Sequence, residues 1–112
     1  MQLISSLCLS LAFLAVSVRG DLHPDCVCNN DGTYNWRLTI KACTEYNNKA
    51  YQWGGSTYNT PTGRCDAAAN SQIAGKEWEA ACKAIAQQGF QCVDGQGTCF
   101  AEPDSVRGSC SK

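Results

Sequence analysis

Cysteine dominates the chemistry open to this sequence, with nine thiols in 112 residues. Cys8 falls in an apolar opening stretch, and the other eight are Cys26, Cys28, Cys43, Cys65, Cys82, Cys92, Cys99 and Cys110. Thiols at this density either hold a metal or pair as disulfides. Zinc knuckles set cysteines a few residues apart in pairs and often recruit histidine. Here the shortest spacing is Cys26-x-Cys28 and the single histidine is His23. No metal and no cofactor are therefore expected. An even set of thiols in a small chain instead reads as disulfides, which hold a fold whose core is too small to hold itself. No two of the eight are adjacent, unlike the doublets of hydrophobins, and their spacing leaves every pairing open.

The remaining reactive groups do not assemble into a catalyst. His23 lies in Leu22-His23-Pro24 near the start of the mature chain, where a mobile terminus is expected; nucleophile–histidine and two-histidine sites thus lack support, and no catalytic residue is assigned. Glu77 and Glu79 lie two apart on an expected helix and face different ways, so they read as solvated charges. Asp66 with Asp94 is a carboxylate pair in principle only. Rings offer more. Tyr51, Trp53 and Tyr58 flank a stretch rich in Gly, Ser, Thr and Asn, where flat faces can stack on a sugar or meet a protein. Against that, Trp53 and Tyr51 are wanted by a core short of large apolar residues. Trp36 and Trp78 sit on helical apolar stripes and are expected inside.

Residues 1–20 read as a signal peptide: Leu3 to Val18 is apolar with scattered Ser, and small residues close it at Val18-Arg19-Gly20. The apolar run is short for a membrane span and has no basic stop-transfer flank, so residues 21–112 are expected as one secreted, extracellular, disulfide-stabilised domain, a monomer. Arg19-Gly20-Asp21 straddles the proposed cut and would not survive it. With a formal charge of −1 for the whole chain, nucleic acid is not an expected partner.

Two helices must position these groups. Asp31 or Thr33 can cap the first, whose apolar residues Trp36, Ile40, Cys43 and Tyr46 share a face while Arg37, Lys41 and Glu45 share another. The second spans Lys76 to Gln88, with Trp78, Ala81, Cys82 and Ile85 on one stripe, Glu79 paired to Lys83 outside, and Gly89 as the stop before Phe90. Strands are expected at Asp25–Cys28, Tyr51–Trp53, Arg64–Ala67 and Phe90–Val93, turns at residues 54–63 and 94–97, and a tail from Pro103 pinned by Cys110. The economical packing is α+β, a small disulfide-rich two-layer sandwich with two helices on an antiparallel sheet in the order β-α-β-β-α-β, akin to a split βαβ arrangement.

The Cys26-x-Cys28 pair followed by Asn29-Asn30-Asp31-Gly32-Thr33-Tyr34-Asn35, the helix bearing Cys43, and Ile73-Ala74-Gly75-Lys76-Glu77-Trp78-Glu79-Ala80-Ala81-Cys82 resemble the small secreted cysteine-rich proteins of filamentous fungi. Many of those are candidate effectors of plant pathogens. Some, the biotrophy-associated secreted proteins, are similar to virally encoded killer toxins in their bridged α/β sandwich. The resemblance spans most of residues 25–93, transfers no catalytic residue, and implies a non-enzymatic role at a host surface. The expected partner is thus a host extracellular protein that the chain binds or masks, or alternatively a wall polysaccharide such as chitin bound through Tyr51, Trp53 and Tyr58. A third reading, an antimicrobial or killer-type toxin, must reckon with the absence of Lys-Arg and Arg-Arg processing sites and of a cationic amphipathic helix.

Overall fold

The structure, a computed structural model, describes residues 21–112, so the expected signal peptide lies outside the described residues. In chain order the elements are β1 (Leu22–His23), β2 (Asp25–Asn30), β3 (Thr33–Tyr34), α1 (Trp36–Asn48), β4 (Ser56–Asn59), β5 (Arg64–Ala67), β6 (Ile73–Ala74), α2 (Gly75–Gln88), β7 (Phe90–Gln91), β8 (Thr98–Cys99), a short 3-10 turn at Pro103–Ser105, and β9 (Val106–Cys110). Two helices on antiparallel sheet, cross-linked by four disulfides, make this the expected small α+β fold.

β2 is the axis. Along one edge it pairs with β9, from Cys26 opposite Cys110 to Asn30 opposite Val106. Its other edge is shared: β5 pairs at Asp25–Cys26, β3 at Asn29–Asn30, and β4 extends the sheet beyond β5. Between β5 and β3 the backbone of Cys28 has no strand partner. Leaving it bare inside the protein would cost on the order of 1–3 kcal/mol per group. The start of α1 fills the gap: the Cys28 N–H donates to Thr39 Oγ1 at 3.0 Å, and the Cys28 carbonyl accepts the Asn35 N–H at 3.0 Å.

That demand sets how α1 faces the sheet. Asn35 is its N-cap, its side chain accepting the Leu38 N–H at 3.0 Å, and not Asp31 or Thr33 as expected. Asp31 (φ 52°) and Gly32 (φ 79°) instead form the tight turn of the β2–β3 hairpin, the Asp-Gly pair supplying the two left-handed residues such a turn requires. With Thr39 turned inward, α1 buries Leu38, Thr39, Ala42, Cys43 and Tyr46, and the expected inward positions of Trp36 and Ile40 are overturned: both are exposed. α2 matches expectation more closely, burying Trp78, Ala81, Cys82, Ile85 and Ala86. Its first turn has no side-chain cap; the Ala74 N–H goes instead to the buried hydroxyl of Tyr46 at 2.9 Å.

Each helix is bolted to the sheet by one disulfide, α1 through Cys43–Cys65 and α2 through Cys28–Cys82. Cys26–Cys110 joins β2 to β9 across directly opposed residues, Cα to Cα 4.0 Å. Cys92–Cys99 closes the hairpin β7–β8 outside the main sheet. Three strand expectations need correction. Tyr51–Trp53 is a turn, and the strand lies later, at β4, inside the stretch read as turn. Phe90–Val93 contributes only the two residues of β7, paired in its own hairpin. The expected tail is β9, whose Arg107-Gly108-Ser109 shows no apolar alternation and whose place is set by long-range pairing with β2.

Candidate functional site

The rotation of α1 that satisfies Cys28 also creates the most distinctive surface of the molecule. Trp36 is 47% exposed and Ile40 38%, one turn apart on the outer face of α1, and Tyr34, just upstream in β3, is 44% exposed. Tyr58 reaches the same place from β4, with Thr60 and Pro61 in the β4–β5 turn beyond it. Together they line a groove of about 430 Å³ between α1 and the β4–β5 hairpin. The scaffold beneath is stiff. Ser56, two residues before Tyr58 on the same face of β4, donates its hydroxyl to the Cys43 carbonyl at 2.9 Å, beside the Cys43–Cys65 bridge.

Tyr34 is exposed along its ring but anchored at its tip, where the hydroxyl donates to the Gly63 carbonyl. Gly63 has φ +73°, and a side chain there would collide with that hydroxyl, so the position suits glycine on both counts. Desolvation of the phenol tip, with the neighbouring Tyr58 hydroxyl, pushes the Tyr34 pKa up to about 12, so the group stays neutral through physiological pH.

Cations rim the groove on its α2 side. Arg37 lies 5.5 Å over the ring of Phe90 and donates to the Gln91 carbonyl at 2.9 Å, while Lys41 reaches the Gly89 carbonyl at 3.5 Å, at the C-terminal end of α2. With Trp36, Ile40 and Gln91 they line an adjoining hollow of about 200 Å³. The ion pairs among the described residues, Lys49–Glu45 and Arg64–Asp25, leave Arg37 and Lys41 without a carboxylate partner.

The three rings singled out from the sequence are not brought together. Tyr51 packs on the buried Tyr46, centroids 4.9 Å apart, and Trp53 lies 5.8 Å from Tyr51, half-buried near Leu22, Ala74 and Lys76. Tyr58 alone belongs to the groove. Trp36, expected in the core, is the ring that stands out beside it.

The polar groups are spent on structure. Glu79 accepts the Gly108 N–H at 3.0 Å, and Lys83 donates to the Pro103 and Val106 carbonyls at 2.6 and 2.8 Å. The expected Glu79–Lys83 pair does not form, and Glu79 is not a free solvated charge. His23 is likewise held, its Nδ1 2.8 Å from the Ser111 carbonyl, in a strand paired with β6. Ser111 Oγ donates to Asp25 at 2.7 Å, and Arg64 pairs with the same carboxylate. Burial tends to raise the Asp25 pKa, but the hydrogen bonds from Ser111 and Arg64 and the Arg64 charge outweigh it and hold the carboxyl below its usual value. Ser, His and Asp are thus neighbours here, yet the imidazole bonds a backbone oxygen rather than the hydroxyl. The arrangement clasps the chain end and has no relay. Asp66, in β5, accepts from Asn59 of β4, and Asp94, in the β7–β8 turn, accepts from the Gln96 N–H, so the two carboxylates do not meet. Among the described residues no three His, Cys, Asp or Glu side chains gather where they could hold a metal ion, and no helix is long and apolar enough to cross a membrane.

No protein-family model, no curated protein and no solved structure matches the chain.

Proposed function

We propose that this chain is a secreted, non-enzymatic effector-type protein that acts at a host surface by binding a host protein through the groove between α1 and the β4–β5 hairpin. One observation carries the reading: of the five large hydrophobic side chains exposed among the described residues, three, Tyr34, Trp36 and Ile40, surround this single groove. Aromatic anchors held on a rigid frame are the usual centre of a protein interface. The disulfides and the leader-like start of the sequence support an extracellular setting. A sugar site fits less well. Sugar hydroxyls need fixed polar partners, whereas the Tyr34 hydroxyl is already committed to Gly63 and the rings Tyr51 and Trp53 are turned away.

Purified oxidised protein infiltrated into plant leaf tissue is expected to alter the tissue's response. The double variant Trp36→Ala, Ile40→Ser, with unchanged circular dichroism, is expected to lose that effect. Undiminished activity of the variant contradicts the reading. In polysaccharide pull-down the wild type is expected to stay in solution with chitin, cellulose and xylan; co-sedimentation abolished by Trp36→Ala and Tyr58→Ala would establish the carbohydrate reading instead.

A further inference from the structure

Besides the two-residue β3, the sheet has two outer strands, β4 and β9, and the protein treats them differently. On β9 two of the groups turned away from β2 are held by side chains of α2: Glu79 accepts from the Gly108 N–H and Lys83 donates to the Val106 carbonyl. On β4 they are not. The Ala68 N–H bonds the Gly55 carbonyl and the Gly63 N–H bonds the Asn59 carbonyl, while the Ser56 N–H points away from β5 to Asn47 Oδ1 at 3.0 Å. The alternation of an antiparallel ladder therefore directs Thr57 and Asn59 toward β5 and turns the N–H and C=O of Tyr58, with the Ser56 C=O, outward. No described strand pairs with that side of β4. An open edge is a template for another strand, and this one ends at the groove that the Tyr58 side chain lines.

We propose that the occupant of this groove is an extended, acidic peptide segment that adds to the free edge of β4 as a further strand. Tyr58 supplies a donor and an acceptor to the incoming backbone. Alternate side chains of the segment, all on one face by the two-residue period of a strand, enter the groove against Trp36, Ile40 and Tyr58. The acidic character follows from charge. Arg37 and Lys41 border the groove without a carboxylate partner, and no Asp or Glu lines it or the hollow they share with Trp36; Glu45, paired with Lys49, lines the next hollow along α1. β4 is four residues long, so the paired part of the ligand is correspondingly short and the side-chain anchors must supply much of the affinity.

The inference rests on the reading of the groove as a protein-binding face, and its test is separable from that reading. Isotope-labelled, oxidised full-length mature protein is titrated by NMR with a blocked peptide of alternating Val and Glu, with its Val and Lys counterpart, and with the Val and Glu peptide N-methylated at the amides that would face β4. The expected result is saturable shifts at the Tyr58 amide and the Trp36 indole with the acidic peptide. Affinity should fall at least about tenfold for the Lys peptide, and binding should be lost on N-methylation. The variant Arg37→Glu, Lys41→Glu should reverse the charge preference. N-methylated peptide binding as well as its parent overturns strand addition, and equal binding of the Lys peptide overturns the acidic ligand. Absence of binding by every peptide, or shifts confined to β9, overturns the proposal altogether. If Trp36→Ala, Ile40→Ser nevertheless abolishes the tissue response, the protein-binding reading stands and only the strand-addition inference falls.

Discussion

Each helix meets an outer strand of the sheet and carries a tryptophan near its start, with opposite results. α2 carries Trp78 near its start and presses it fully into the core, its indole donating to the Val27 carbonyl at 2.8 Å. α1 carries Trp36 at its start and leaves it nearly half exposed. Where α2 crosses β9, Gly108 lets the helix come so close that an added Cβ would sit 2.8 Å from the Trp78 ring, and Glu79 and Lys83 then reach the strand's outward backbone groups. Where α1 crosses β4, Ser56 and Asn47 tie the start of the strand and the groups around Tyr58 stay open. The contrast teaches that a helix's facing is set by the backbone it must satisfy as well as by its apolar stripe. α1 gives up burying Trp36 and Ile40 so that Asn35 and Thr39 can complete the gap beside Cys28.

The sharpest way to break the comparison is to truncate the two tryptophans. Trp78→Ala should cost about 3–5 kcal/mol of unfolding free energy in denaturant titrations of the oxidised protein, whereas Trp36→Ala should cost within about 0.5 kcal/mol. Similar costs would mean that both rings are core. Next come the bridges. Cys28–Cys82 spans 54 residues and ties α2 to the axis of the sheet, while Cys92–Cys99 spans 7 in a peripheral hairpin. The loop-entropy relation gives about 4 kcal/mol for the first against about 2 for the second, so Cys28→Ser with Cys82→Ser should lower the melting temperature well beyond Cys92→Ser with Cys99→Ser. A smaller effect isolates the closed strand edge. Glu79→Ala leaves the Gly108 N–H without its partner and should cost about 1–3 kcal/mol, against near zero for Glu45→Ala, which loses only a long i,i+4 contact to Lys49 at 3.8 Å.

The smallest expected effect concerns the clasp that fastens β2 and β5 to the end of the chain beyond β9. The folded pKa of Asp25 lies below its ordinary value of 3.8, so between the two the unfolded chain binds more protons. The clasp's contribution is therefore intact above about pH 4 and is lost as pH falls through the folded pKa. Asp25→Asn should flatten that part of the acid-denaturation curve while the rest persists; an unchanged curve would show the clasp to be inert.

Much of the α2 side was legible in the sequence. Its apolar residues fall on one stripe, Gly89 stops the helix where expected, and Cys82 points inward to a bridge. Pairing of all eight thiols followed from their number and the size of the chain, while their partners did not, because Cys26 and Cys28 leave one strand face for β9 and α2 respectively. The α1 side was harder to read. Trp36, Ile40 and Cys43 form a plausible stripe, and its displacement depends on a break in strand pairing that no local pattern reveals. Two signals did exist: Asp31-Gly32 marks a hairpin, which rules out a helix cap there, and Asn35 stands three residues before the Leu38 amide it caps. β4 lies in a run of Gly, Ser, Thr and Asn that reads as turn, and β9 is polar, so both owe their strand form to partners distant in sequence. Tyr58 was singled out because loops carry function, whereas Tyr34 and Trp36 join the candidate groove only through tertiary placement.

The most direct test of an open α1–β4 side and a closed α2–β9 side is native-state amide hydrogen exchange at Tyr58 and Gly108, read in one NMR experiment on the oxidised protein. Tyr58, turned outward on a strand edge that no described strand covers, is expected to exchange near the rate of an unstructured peptide, and Gly108, bonded to Glu79 beneath α2, to be protected until the sheet opens. Strong protection of Tyr58 together with free exchange at Gly108 would contradict the account.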